Sequence, residues 1–278
     1  MKKLSILLLG VLLIGLTSCK KTYTVQSDPY TMDLTKLPST FQQNVLFETY
    51  TATWCGYCPR EPYELDPIVE AFPGRVFIAA MHQSDEMSNT QSESLASTFN
   101  VSGIPDAHCN RNGLNYFTTG SGAYLNTPTH MGVAIVSSVS GNTAKITVCA
   151  GFTQDYTQPL ALTVYVTEDG LSYPQHNYYN TSSQYPELQG AGDIIDPYTH
   201  YHVFRRCATT AITGDAIPAS STMNGKIYSK SYSVDITGFN AKKMHVIAMI
   251  NKQGGINAMN DGLFNVQSCN LGSSIGWK

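Results

Sequence analysis

The sequence predicts an α/β domain followed by an all-β sandwich, and three observations support this fold class. A strand-like run, a helix-like run and a second strand-like run follow one another at 45–51, 59–72 and 75–81. About seven short alternating runs without a helical period then follow between 133 and 269. A mature chain of about 260 residues suits two domains of ordinary size. We therefore expect domains at 41–128 and 129–278.

The first strand, 45–51, is rich in β-forming residues. After Cys58, apolar residues recur at helical spacing, at positions 65, 68, 69 and 72. Pro59 suits a first helical turn, whereas Pro62 and Pro67 predict a kink or a break. The run 75–81 is predicted to be the next, buried strand.

The segment 53–59 places Cys55 and Cys58 three residues apart at a predicted strand-to-helix turn. Such a pair can open and close a disulfide, and a helix N-terminus stabilises the thiolate that does the chemistry. One alternative is half of a zinc site, but the sequence has no second close pair of cysteines. The other is an inert structural disulfide, which a strained two-residue loop disfavours.

The sequence Trp54-Cys55-Gly56-Tyr57-Cys58 between strand and helix resembles the thioredoxin superfamily. The segment 101–105, after a helix-like stretch at 92–99, resembles the second signature of that superfamily. The resemblance implies a thioredoxin-like domain at 41–128 and a cis bond before Pro105. It also implies that Pro105 faces the cysteine pair, and that Pro105 and the Ile104 backbone dock a substrate chain as an added strand.

The resemblance assigns roles around the pair. Cys55 is the exposed attacking thiol with a lowered pKa, Cys58 is the resolving thiol, and Trp54 limits solvent. Thioredoxin carries a buried acid six residues before its first cysteine, where this sequence has Thr49. Glu48 is adjacent, but strand alternation points it the other way, so either Glu48 or a water carries the proton, or turnover is slow.

Two functions follow from this interpretation. The first is a thiol–disulfide oxidoreductase, a reductase or isomerase that acts on extracytoplasmic protein disulfides without a cofactor and with an unidentified electron donor. The second is a non-catalytic, adhesin-like binding lipoprotein with an inherited thioredoxin fold, because fold does not fix function.

The N-terminus has the pattern of a lipoprotein signal. A positive start and a short apolar run precede Leu16-Thr17-Ser18-Cys19, which has the shape of a lipobox, so we expect a signal peptide at 1–18 and acylation of Cys19. The alternative is an ordinary cleaved signal with Cys19 incidental. Residues 19–40 read as a tether. Lys20 and Lys21 follow the cysteine, which favours the outer membrane facing the periplasm, with the cell surface as the alternative.

The whole chain resembles the Omp28-related outer-membrane lipoproteins of Bacteroidetes type. The lipid signal, the motifs within 41–125 and, more weakly, the β-rich second half with Tyr201–Arg205 carry this resemblance. A net charge of -3 gives no argument for nucleic acid or an anionic membrane surface, so a lipid at Cys19 is the expected membrane contact.

Four further cysteines are candidates for structural disulfides: Cys109, Cys149, Cys207 and Cys269. Strand alternation places Cys149 and Cys269 on polar faces, where a free thiol is a liability. We expect these two to be bridged, to each other or to one of the others. The alternative is four buried, unpaired thiols.

The second half reads as an antiparallel sandwich, immunoglobulin-like by resemblance. Its insertion at 172–199 carries five tyrosines, which either pack over the end of the sandwich or bind a glycan or protein partner. His200 and His202 share a face if they lie on a strand, but they lack an obvious third ligand, so we interpret them as structural and expect no metal site.

Overall fold

Strands dominate the chain, of which a computed structural model describes residues 33–111, 124–254 and 262–277. The α-helices with both ends described are α1 (Glu61–Ala71) and α2 (Thr90–Thr98). Short 3₁₀ helices span Cys58–Arg60, Ala219–Ser221 and Ala241–Lys243. The strands of the described part are β1 (Phe41–Gln42), β2 (Val45–Thr51), β3 (Val76–His82), β4 (Asp106–Cys109), β5 (Pro128–Thr129), β6 (Met131–Ser140), β7 (Thr143–Phe152), β8 (Leu160–Glu168), β9 (Leu171–His176), β10 (Ile194–His200), β11 (Val203–Cys207), β12 (Asp215–Ala216), β13 (Ile227–Asp235), β14 (Met244–Lys252), β15 (Leu263–Asn270) and β16 (Ser274–Ile275).

The largest sheet joins strands from both halves of the chain. Its order is β15-β14-β8-β11-β3-β2-β4, with β12 paired to β8. Strands β2 and β3 are parallel and are connected through α1, so the predicted order of strand, cysteine pair, helix and strand is correct locally. Strand β11 pairs in parallel with β3 and antiparallel with β8, and thereby joins the two halves.

The predicted fold class is wrong, because the described residues do not contain a separate α/β thioredoxin-like domain. Strands β2, β3 and β4 lie in one sheet with β8, β11, β14 and β15. One face of this region packs α2 residue Leu95 together with Tyr165, Phe204 and Met249 from the second half. The early strands thus bury one face against later residues, which a local sequence pattern does not reveal.

A second sheet, in the order β13-β7-β6-β16, packs against part of the first. The core between them includes Val133, Ile146 and Val234 from the second sheet and Val164 and Val246 from the first. This packing makes the region a β-sandwich. The immunoglobulin-like topology is wrong, however, because such domains have two antiparallel sheets and here one sheet contains parallel strands.

Helix α1 covers the other face of β2 and β3, with Leu65 fully buried against Val45, Phe47 and Ile78. Pro62 lies in the first turn, where its missing N–H is no loss. The helix continues through Pro67, so the break predicted there is wrong. The change of helix type comes earlier, between the 3₁₀ turn Cys58–Arg60 and α1.

A buried ion pair ties the early strands to β8. Arg111 Nε lies 3.2 Å from Glu48 Oε1, and both side chains are almost fully buried. Tyr165 donates a hydrogen bond of 2.9 Å to Glu48 Oε1, and Arg111 donates one of 2.6 Å to the Tyr165 hydroxyl. Burial opposes the charge on Arg111, but Glu48 outweighs it and raises the pKa of the guanidinium. Arg111 therefore stays charged inside the shared core.

We expect Glu48→Ala to lower the free energy of unfolding by about 3–5 kcal/mol, because it leaves the Arg111 charge buried without its partner. Urea denaturation of the full chain measures this change. Lys36→Ala is the control, since its ion pair with Asp33 is exposed and we expect no measurable effect. Equal effects of the two substitutions would contradict a structural role for the buried pair.

Candidate functional site

The cysteine pair lies on the turn that joins β2 to α1. Cys55 and Cys58 form a disulfide with their Cα atoms 5.4 Å apart. The Cys58 N–H donates to the Cys55 carbonyl at 3.1 Å, and the Cys55 N–H donates to the Ala52 carbonyl at 3.2 Å. Pro59 follows inside the 3₁₀ turn, where it needs no donor. The predicted turn geometry is therefore present.

The expected exposure of Cys55 is wrong. Only 5% of Cys55 and 2% of Cys58 is accessible to solvent. Trp54 and Tyr57 on either side are about half exposed. Trp54 Nε1 donates to the Gln83 carbonyl at 3.1 Å, which fixes the indole beside the turn. A partner must therefore meet Trp54 and Tyr57 before it reaches sulfur.

The bond between Ile104 and Pro105 is cis. Ile104 packs against Ala52, Cys55 and Cys58. Within the described residues, neither backbone polar group of Ile104 has a backbone hydrogen-bond partner. The structure thus brings Ile104 to the disulfide and leaves its backbone available there.

Asp85, which the sequence reasoning missed, fixes the start of the turn. Its Oδ2 accepts the Thr53 N–H at 2.9 Å and lies 2.6 Å from His82 Nδ1. Its Oδ1 accepts the N–H groups of Met87 and Ser88. Burial opposes ionisation of Asp85, but His82 and these backbone donors outweigh it and lower its pKa. In the sequence, the stretch 83–91 is polar and typical of a loop, and only the fold brings Asp85 to Thr53.

The insertion predicted at 172–199 forms the hairpin β9–β10 and its connecting loop, here called the cover hairpin (171–200). The backbone N–H groups of His176 and Tyr178 donate to the carbonyls of Thr53 and Gly56, each at 2.8 Å. Gln175 Nε2 donates to the carbonyls of Ala52 and Cys55 at 3.2 and 2.9 Å. Tyr178 and Tyr179 of this hairpin lie against Tyr57 of the cysteine turn, where the prediction had placed the tyrosines over the end of the sandwich.

Aromatic contacts also hold the cover hairpin against the cysteine turn. The Tyr57 ring lies 5.0 Å from Tyr178 and 6.0 Å from Tyr179, centroid to centroid. Tyr179 is edge-on to Tyr185 at 4.7 Å, and the Tyr185 hydroxyl donates to Glu64 on α1 at 2.6 Å. Burial and this carboxylate raise the pKa of Tyr185 to about 12, so its hydroxyl stays protonated. The cover hairpin is thereby tied to both the turn and the helix.

A cavity of about 300 Å³ opens beside the disulfide, here called the Cys58 cleft. Its buried lining includes Cys58, Glu61, Leu65, His82 and His200, and exposed residues such as Asp66 and Tyr201 also border it. Cys55 does not line it. The two sulfurs therefore differ in surroundings, with Cys58 facing the cleft.

Glu61 is the acidic group that the sequence reasoning missed. It is 7% exposed, and its Oε2 atom has no hydrogen-bond partner of ordinary geometry within the described residues. Burial raises the pKa of Glu61 to about 7, against the opposing influence of the Thr49 hydroxyl. Its place three residues after Cys58 was the available signal. Glu48, the expected candidate, is instead paired with Arg111 on the other face of the sheet.

The histidines at 200 and 202 both line the Cys58 cleft. His200 is buried and stacks edge-on against His82 at 5.3 Å. Burial and then His82 lower the pKa of His200 to about 4, so it is neutral. His202 lies with Asp169, 3.4 Å from Nδ1 to Oδ1. In the described ranges no cluster of three side chains is arranged to hold a metal ion.

The expected bridge between Cys149 and Cys269, or from either to Cys109 or Cys207, is not formed. All four cysteines are free thiols, three of them buried and Cys269 partly so. Cys149 lies opposite the sandwich core, as alternation predicted, but it is covered and contacts Ser229. Burial raises the pKa of Cys109 to about 12, and burial also raises those of Cys207 and Cys269. These thiols are therefore poor nucleophiles at neutral pH.

Residue Cys19, the signal at 1–18 and most of the predicted tether lie outside the described residues. Across the segments that are described, the search for a helix both long and apolar enough to cross a bilayer finds none.

Fold and site together define a β-sandwich protein that carries a covered disulfide at a strand-to-helix turn. The model of the family "Outer membrane protein Omp28" matches residues 92–274, so the chain belongs to that family and is an outer membrane protein. This match begins after the cysteine pair.

Two solved structures are similar to the chain. HBP35 of Porphyromonas gingivalis matches with 23% identity and a TM-score of 0.65 over 83% of this chain and 76% of its own, which shows the fold alone. A structural-genomics target from Agrobacterium tumefaciens matches with 11% identity and a TM-score of 0.45, over 86% of this chain and 96% of its own. That second likeness carries no argument. No curated protein matches the chain.

We expect Gly56→Ala to loosen the cover hairpin, because a Cβ at this position meets the Tyr178 ring. The Tyr178 N–H, bonded to the Gly56 carbonyl at 2.8 Å, should then exchange with deuterium about tenfold faster. Gly103→Ala is the matched control, since open space surrounds its Cβ position. Unchanged exchange in Gly56→Ala would show that the ring does not hold the hairpin in place.

Proposed function

We propose that this outer membrane protein is anchored by a lipid at Cys19 and exchanges disulfides with extracytoplasmic proteins, as a reductase or isomerase. One observation carries the proposal, namely that Cys55 and Cys58 close a disulfide where β2 passes into α1. A dithiol at the start of a helix favours the thiolate, which is the reactive form. The four other cysteines, unpaired and largely buried, are not arranged for exchange.

The backbone of Ile104 supports a docking role for this face. Its N–H and carbonyl have no backbone partner within the described residues, and its side chain packs against the cluster that contains the disulfide. An extended chain can pair with such groups as an added strand, which positions its own cysteine without reading its sequence. Trp54, half exposed on the same turn, supplies an apolar contact for that chain.

The exchange runs in two steps in the reduced protein. The Cys55 thiolate attacks one sulfur of a substrate disulfide, a mixed disulfide forms, and the other substrate sulfur leaves as a thiolate that takes up a proton. Cys58 then attacks Cys55, which releases the second substrate thiolate and forms the Cys55–Cys58 disulfide. Two electrons pass to the substrate, and an extracytoplasmic dithiol protein returns them; isomerisation needs no net transfer.

Glu61 supports the second step. Cys58 is almost inaccessible to bulk solvent, so its proton needs a nearby acceptor. Glu61 lines the same cleft, and its raised pKa of about 7 lets it accept and release a proton near neutral pH. We expect the attack of Cys58, and with it the release of the substrate, to become faster as the pH rises through this value. The reason is that only the ionised carboxylate of Glu61 accepts the proton of Cys58.

The cover hairpin favours the second candidate function, a non-catalytic binding protein. The hairpin docks on the carbonyl groups of the cysteine turn, and both cysteines are almost inaccessible to solvent. In that case the disulfide is structural and merely stiffens the surface on which the hairpin docks. Catalysis instead requires the hairpin to open or the substrate to approach from the Ile104 side.

We expect the full chain to reduce insulin with dithiothreitol as electron donor, and Cys55→Ser to lose this activity because the attacking sulfur is gone. Cys58→Ala should retain partners as mixed disulfides, since the resolving step is blocked.

Glu61→Gln should slow the resolving step by about a hundredfold and flatten the rise of its rate near pH 7. Insulin turbidity and stopped-flow fluorescence measure these rates.

Cys149→Ser is the matched control, because Cys149 is a buried thiol with no place in the exchange. It should leave insulin reduction unchanged. If the wild-type chain fails to reduce insulin and Cys58→Ala traps nothing, the protein is a binding protein and the redox proposal is wrong.

The anchor is tested separately. We expect Cys19→Ser to move the protein from the outer-membrane fraction to the soluble fraction and to abolish labelling by a fatty-acid analogue, because the acyl group holds the chain to the bilayer. Fractionation and metabolic labelling measure both effects. Retention of Cys19→Ser in the membrane with unchanged labelling would disprove acylation at this residue.

A further inference from the structure

The Cys58 cleft has a buried floor and an open mouth. Residues on its floor include Glu61, Leu65 and Ile78, and exposed Asp66 and Tyr201 lie at its mouth. The floor combines apolar side chains with one carboxyl group, a composition found in ligand pockets. At the packing density of protein interiors, about 300 Å³ accommodates a molecule of about ten non-hydrogen atoms.

One oxygen of the buried carboxyl group lacks a hydrogen-bond partner, although the Thr49 hydroxyl lies near the group. Glu61 Oε2 is shielded from solvent and has no hydrogen-bond partner of ordinary geometry within the described residues. Leaving such a group unpaired is unfavourable, and an ionised carboxylate most of all. A donor that enters the cleft would satisfy it.

The charges around the cleft select the kind of donor. Its lining includes the carboxyl groups of Glu61 and Asp66 but no lysine or arginine. His82 is paired with Asp85, and burial keeps His200 neutral. His202 lies beside Asp169, so it adds no net positive charge. The net charge of the side chains that line the cleft is therefore negative, which favours a cation over an anion or a neutral ligand.

The ring of Tyr198 completes the surroundings. Tyr198 and Tyr201 both line the cleft, and tyrosine faces attract ammonium groups. Burial, and after it the neighbouring acidic groups, raises the pKa of Tyr198, so its phenol stays neutral. An aromatic or aliphatic body can pack against Leu65 and Ile78 on the floor.

We propose that the Cys58 cleft binds a small organic cation, a primary ammonium group on a compact apolar body, with the ammonium paired to Glu61. Free amines and the lysine side chain of a docked protein share this chemistry. The site lies against Cys58 but does not depend on thiol exchange, and binding is measured here on the oxidised chain without reductant.

The test is isothermal titration of the full oxidised chain in a non-ionic detergent at pH 8. The probes are phenethylamine, its neutral analogue 2-phenylethanol and the anion phenylacetate. We expect the amine to bind at least tenfold more tightly than the alcohol, and the anion not to bind. Equal affinity of amine and alcohol, or no binding of any probe, would overturn the proposal.

Glu61→Gln should reduce the preference for amine over alcohol to less than twofold. This variant should fold, because glutamine keeps the shape and removes a charge whose burial destabilises the protein as the pH rises through about 7. The matched control is Glu70→Gln, which alters an exposed carboxylate on the same helix that does not line the cleft. It should keep the tenfold preference. A preference that survives Glu61→Gln also refutes the assignment.

A capped lysine, Nα-acetyl-lysine methylamide, separates the two sources. Binding as tight as that of phenethylamine supports a lysine side chain as the ligand. Weaker binding of the capped lysine supports a free amine. No thiol reacts in these titrations. They therefore confirm or refute amine binding independently of the redox proposal.

Discussion

The cysteine turn is held in place by a segment that lies about 120 residues later in the chain. The carbonyl groups of Ala52, Thr53, Cys55 and Gly56 accept hydrogen bonds from the cover hairpin. A strand-to-helix turn ordinarily leaves such carbonyls to water. Here protein donors satisfy these carbonyls, so the hairpin is held directly on the turn that carries the disulfide.

The same docking shapes the Cys58 cleft. The hairpin supplies Gln175, Tyr198 and His200 to a space whose other walls are α1 and the ends of β2 and β3. Without the hairpin Glu61 would face water, and its pKa would lie near the ordinary value. The cover hairpin thus both docks on the cysteine turn and forms one wall of the cleft that Glu61 lines.

Local features were predictable from the sequence, whereas the way they assemble was not. The strands at 45–51 and 75–81 and the helix after Cys58 follow from residue type and spacing, which are local properties. The pairing of β11 with β3 depends on residues more than a hundred positions apart. This pairing makes the early strands part of the large sheet, so they do not form the separate domain that was expected. Glu61 follows Cys58 by only three residues, but the cleft that it lines also contains hairpin residues that are distant in the sequence. The sequence alone therefore favoured Glu48 as the acidic group. Asp85 was missed because only the fold brings it to Thr53.

The distance along the chain between the turn and its cover has a consequence for biogenesis. Synthesis delivers residues 41–111 before the hairpin residues exist. During that interval Cys55 and Cys58 have no hairpin over them, and an oxidant can reach them freely. Pairing of these two sulfurs is therefore easiest before residues 171–200 dock, and their docking then limits access to the bond.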